Sequence, residues 1–75
     1  MALITLSAVI HREGNIYVAD CPELGTVSQG ATIEEAISNL KEATELFLEE
    51  QSEPVAVTPA IMTTFSIDAA NAEAA

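Results

Sequence analysis

Few side chains in this 75-residue chain are of types that do chemistry. There is one cysteine, Cys21, and one histidine, His11. A thiol and an imidazole can form a nucleophilic pair, but the base must in turn be oriented by a third group. The sequence offers no evident asparagine or aspartate for that task. A free cysteine commonly serves as a small buried hydrophobe, so Cys21, directly ahead of Pro22 and Glu23, reads as structural. His11 falls at a strand end and reads as a partly exposed surface residue. One histidine and one cysteine fall short of the four ligands a structural zinc site takes. Carboxylates are plentiful, yet metal-dependent nucleases need several of them converging on two cations. The stretch from Ala2 to Arg12 carries none, and Asp20 and the later glutamates do not converge in the pattern. The three glycines sit in turns and build no phosphate-cradling loop. No catalytic, metal or cofactor site is therefore expected, and the chain does not read as an enzyme.

The charge points elsewhere. Twelve acidic residues stand against Lys41 and Arg12, a formal charge of −10. Nucleic-acid affinity rests on cations that neutralise phosphates, so direct binding to DNA or RNA is not expected, nor is binding to anionic membranes. A basic protein partner fits the charge, because opposite potentials steer encounter. The alternative is that acidity serves only to keep a small protein soluble. At this length a single domain is expected, near the lower limit of independent stability. With neither a disulfide nor a zinc site to staple it, oligomerisation is the remaining support. The opening residues lack a basic segment, and their apolar run is interrupted by Thr5 and Ser7. They do not read as a signal peptide or a membrane span. With the lone cysteine, this gives a cytoplasmic expectation.

The elements that would position these residues follow from periodicity. Residues 2–12 alternate, with Ile4, Leu6, Ala8 and Ile10 on one face, the pattern of a strand. Gly14 and Asn15 tolerate the positive φ of a tight hairpin turn. Residues 15–21 give a second strand, ended by Pro22, which cannot donate to a ladder. Residues 26–29 form a brief third strand closed by Gly30. The helix signal is the clearest: Thr32 as N-cap, Glu35 three residues on as its capping-box partner. Ile33, Ala36, Ile37, Leu40, Ala43, Phe47 and Leu48 then recur at three- and four-residue steps as one apolar stripe. On that reading, an aspartate at Ile37 or Leu40 unfolds the domain. The remaining helix surface is rich in glutamate, either a solvated face or a docking surface. A linker with Pro54 and Pro59 follows, then alternation over residues 61–67 that reads as a fourth strand. Residues 69–75 are alanine-rich and read as a loose tail, with a short helix as the other possibility; the folded domain spans residues 1–68.

The fold class expected is α+β in the order β-β-β-α-β. If the crossover after the helix is right-handed, the last strand lies parallel to the first at the edge. The result is a mixed sheet of order 3-2-1-4 with one helix on one face. The other face and the last edge are left uncovered and invite pairing with another chain.

Residues 17–25 (Tyr-Val-Ala-Asp-Cys-Pro-Glu-Leu-Gly), 27–36 (Val-Ser-Gln-Gly-Ala-Thr-Ile-Glu-Glu-Ala) and 39–43 (Asn-Leu-Lys-Glu-Ala) resemble the HicB-like antitoxin family. That family's core runs approximately as a strand, CPELPG, SxGdTxeEA and NlkEAxexyLe. The match spans about residues 10–50, and Met62 to Ile67 resemble the end of a short, single-domain branch. In the turn, Gly25 follows Leu24 where the family has a proline. The resemblance implies a partial ribonuclease H-like fold without catalytic carboxylates. It also implies a partner, a HicA-like toxin, which is a small basic ribonuclease whose cleavage of messenger RNA the antitoxin blocks by direct binding. Many members continue into a DNA-binding segment; the sequence here ends at Ala75, so autorepression by this chain alone is not expected. An orphan homo-oligomer with no toxin is the second reading.

Two toxin-facing surfaces are expected. One is the strand-end and turn region, His11, Asp20 and Glu23. The other is the acidic helix face, Glu34, Glu42, Glu45 and Glu49. Self-association is assigned to the last strand, through Ile61, Phe65 and Ile67, giving a homodimer or higher oligomer.

Overall fold

The computed structural model describes residues 3–73. Three antiparallel strands, β1 (Val9–Glu13), β2 (Ile16–Cys21) and β3 (Thr26–Gly30), precede one helix, α1 (Ile33–Glu49). The sheet order is β1-β2-β3, with β2 central. The class is α+β, as the sequence pattern indicates.

Each connection has a local cause. Gly14 and Asn15 are the two residues between β1 and β2, and Gly14 has φ 61° while Asn15 keeps a negative φ. Positive φ at the first central position only, on a glycine, is the signature of a type II′ hairpin turn. The Arg12 Nε–H donates to the Gly14 carbonyl at 3.1 Å and braces the turn. The register pairs Ile10 with Ala19 and His11 with Val18. Thr32 caps the helix as the spacing predicts: its Oγ1 accepts from the Glu35 amide at 3.1 Å. Glu35 reaches back to the Ala31 amide at 3.1 Å, one residue further out than a standard capping box.

The helix packs on one face of the sheet, chiefly over β3 and less over β2. The core between them is small: Ala19 and Cys21 from β2, Ala36 and Leu40 from α1, with Leu6, Ile10, Tyr17 and Leu24 packed around them. Gly30 is where the layers come closest. A Cβ there would lie 2.5 Å from the Ala36 amide nitrogen, so only glycine admits this helix. The apolar stripe read from the sequence is rotated in the fold. Leu40 is buried, but Ile33 and Ile37 are 42% and 43% exposed, and Thr44, outside that stripe, is buried instead. Thr44 sits four residues after Leu40, and its hydroxyl meets the Thr26 hydroxyl at 2.7 Å. The sheet thus supplies a polar partner that periodicity of apolar residues does not reveal.

Two expectations differ at the ends. The first strand begins at Val9, and residues 3–8 belong to no strand, although Leu6 still packs against the core; Ala2 lies outside the described residues. The fourth strand expected over residues 61–67 is absent, and with it the 3-2-1-4 order: the observed sequence of elements is β-β-β-α. Residues 61–67 have no neighbouring strand in the single chain, and an extended segment without a ladder partner is not a strand. In the alanine-rich tail only residues 70 and 71 make a turn, and residues 74 and 75 lie outside the described residues.

Candidate functional site

The register decides what each sheet face carries. Residues alternate between faces, so the buried Ala19 and Cys21 assign Tyr17, Ala19 and Cys21 of β2 to the helix side. Val18 and Asp20 then lie on the open side. The pairings of Val9 with Asp20, His11 with Val18 and Asp20 with Val27 place Val9, His11 and Val27 beside them. The open face is therefore half apolar, with Val9, Ile16, Val18 and Val27, and half polar, with His11, Glu13, Asp20 and Gln29. His11 Nε2 lies 2.6 Å from Glu13 Oε2, and His11 Nδ1 lies 3.9 Å from Asp20 Oδ2. The structure thus brings His11 and Asp20 together on one surface, and adds Glu13, two residues along the same strand face. Its i, i+2 spacing from His11 was the available sequence signal.

Glu23 sits elsewhere and is engaged internally. Both its carboxylate oxygens accept from the Ser7 amide, at 2.9 and 3.1 Å, and the Cys21 thiol donates to Oε1 at 3.4 Å. The hydrogen bonds from Ser7 hold the carboxyl well below its ordinary value of 4.5, at about 2. Glu23 therefore acts as a clamp between the N-terminal segment and the turn after β2, and its oxygens are already in use. Cys21 is free and buried, in keeping with a structural role.

Glu34, Glu42, Glu45 and Glu49 are all exposed on α1. At 100° per residue they fall within a sector of about 80°, opposite the buried Ala36, Leu40 and Thr44. Glu35 flanks the same sector. Because α1 covers one face of the sheet, this acidic stripe and the His11–Asp20 cluster lie on opposite sides of the domain. The two expected surfaces are thus separate, and one small partner cannot sit on both surfaces of one chain without wrapping around it.

A third feature was not read from the sequence. The offset of α1 toward β3 leaves a groove of about 440 Å³ between the helix flank and the N-terminal segment. Its walls are Leu3, Ile4 and Leu6 on one side and Ile37, Leu40 and Leu48 on the other, with Cys21 at its base. Lys41 and Glu45 stand at it as the charged lining residues. Ile61, Phe65 and Ile67 are 91%, 88% and 74% exposed, outside the packed body.

Among the described residues no group of three or more His, Cys, Asp or Glu side chains is placed to hold a metal ion. No helix among them is long and apolar enough to cross a membrane. What the fold and its surfaces define is a small two-layer α+β domain with an acidic helix, an uncovered sheet face and an apolar groove. By sequence the chain is similar to a UPF0150 protein of Helicobacter pylori strain J99, with 52% identity over 44 residues. That alignment covers 57% of this chain and 61% of the relative, so the chain spans about three fifths of the length of the curated relative it matches. No family model matches the chain, and no solved structure matches it significantly.

Proposed function

We propose that the chain is an antitoxin-type binding module, without enzymatic activity of its own, that works in the cytoplasm and neutralises a HicA-like, messenger-RNA-cleaving toxin by direct contact. The observation that carries this reading is the acidic stripe of α1. Glu34, Glu42, Glu45 and Glu49 share one exposed face in a chain of net charge −10 with only two cationic side chains. Such a face presents a negative potential to a basic ribonuclease and repels nucleic acid. The resemblance of residues 10–50 to the HicB-like pattern supports the same partner. The UPF0150 relative supports the kinship without naming an activity.

In this reading the helix stripe is the toxin-facing surface. The His11–Asp20 cluster, on the opposite sheet face among Val9, Val18 and Val27, serves a contact with a further polypeptide. Glu23 contributes by fixing the turn and not by touching the toxin. The last segment, through Ile61, Phe65 and Ile67, completes the domain as the expected fourth strand once it has a ladder to join, within a homo-oligomer. The second reading, an orphan oligomer without a toxin, is favoured by the same exposed segment.

The test is a charge-reversal series on the helix. Glu42→Lys with Glu45→Lys should weaken binding of a HicA-like toxin by about tenfold or more at low ionic strength, the loss shrinking as salt rises. Affinity unchanged by these substitutions removes the helix from the interface. Absence of any complex with such a toxin leaves the orphan reading.

A further inference from the structure

We propose that the apolar groove between α1 and the N-terminal segment is the receiving site for residues 61–67 of a second copy of this chain, so that two protomers exchange their C-terminal segments reciprocally. This deepens the oligomer part of the preceding reading and does not depend on a toxin.

The first support is surface area. A compact monomer of this mass, 7.9 kDa, exposes roughly 4,400 Å². The chain exposes 6329 Å². The excess, roughly 1,900 Å² per protomer, is surface open to a partner, and an obligate homodimer interface buries a comparable area per chain. Shape agrees. The radius of gyration is 15.1 Å, against roughly 11 Å for a compact chain of this length.

The second support is chemical. Residues 54–67 form a run of fourteen without one Asp, Glu, Lys or Arg. Two chains of −10 repel each other, and this is the part of each that approaches the other without adding like charge. It ends in alternating Ile61, Phe65 and Ile67, large side chains exposed on a segment that belongs to no strand. The groove offers the matching surface in Leu3, Ile4, Leu6, Ile37 and Leu48, and its N-terminal wall leads directly into β1, an edge strand of the sheet among the described residues.

The third support concerns why a second copy is the occupant and not the same chain. Pro54 and Pro59 fix their own φ and hold Glu53 and Thr58 out of the helical region. Proline-bearing linkers extend and stiffen. The linker therefore carries residues 61–67 away from the body instead of folding back, and reciprocal exchange of such an arm is a low-cost route to a two-fold dimer.

The test uses the full chain alone. Sedimentation at tens of micromolar should give a dimer. Covalent trapping then locates the arm. In a Cys21→Ser background, a chain bearing only Phe65→Cys is mixed with one bearing only Ile4→Cys or Ile37→Cys, unfolded and refolded together, and oxidised. A disulfide-linked heterodimer is expected with at least one groove position. If the Cys21→Ser background does not fold, Phe65→Asp with Ile67→Asp in the natural background reads the same question: helical circular dichroism retained and mass halved. A monomeric natural chain, a dimer unaffected by the arm substitutions, or a disulfide closing within one chain when Ile37→Cys and Phe65→Cys are combined each overturns the proposal. So does an arm that becomes ordered only when a basic toxin is added.

Discussion

At the scale of single residues, the side chains with chemical potential hold the fold together. Glu23 is the clearest case. Its carboxylate is stabilised by the Ser7 amide, which sets its pKa at about 2 against an ordinary 4.5. Because the folded value is depressed, the stability it contributes is fully present above about pH 4.5 and is lost as pH falls toward 2. Glu23→Gln should therefore lower the melting temperature at pH 7 and make little difference near pH 2; melts of both proteins across that window check it. Gly30 is fixed by the helix backbone above it. Gly30→Ala should destabilise by about 1–3 kcal/mol, as overpacking does, measured by urea unfolding. Thr44→Val removes one half of a hydroxyl pair and leaves the Thr26 oxygen short of a partner, at a cost of about 1–3 kcal/mol in the same assay. Gly30 was legible as the end of β3 though not as a helix contact, and neither Glu23 nor Thr44 was legible as structural. Glu23 looked like a surface acid because its partner is a backbone amide sixteen residues away, which no sequence pattern displays.

At the scale of elements, what is local was readable and what is non-local was not. The helix start follows from Thr32 and Glu35, and the observed bonds of both residues agree with that reading. The hairpin follows from Gly14, whose positive φ is the one the turn uses. The buried face of the helix lies a step away from its apolar stripe, because α1 lies over β3 and leaves Ile37 beside a groove. Accordingly Leu40→Ala should cost about 2–5 kcal/mol, whereas Ile37→Asp should leave the single-chain fold intact. Circular dichroism of the two variants separates them. An equal loss of structure in both would restore the original stripe. The last strand illustrates the same limit. Its alternation is plain in residues 61–67, but a strand exists only where a ladder receives it, and the sequence does not name the receiver.

At the scale of the whole molecule, the decisive properties are a buried apolar core of four residues among those described, a large excess of exposed surface and a strongly negative potential. A core this small gives little stability of its own, and the remaining apolar surface is of the kind that other chains cover. The candidate contacts were legible as residue types; their division among two opposite surfaces and a groove was not, since it depends on where the helix sits. The most direct test of the account is to add the chain, at increasing ratio, to a HicA-like ribonuclease cleaving messenger RNA and to follow both cleavage and complex formation. Cleavage is expected to stop at a fixed stoichiometry, with a co-migrating complex that weakens as salt rises. Undiminished cleavage with no complex at any ratio would contradict it.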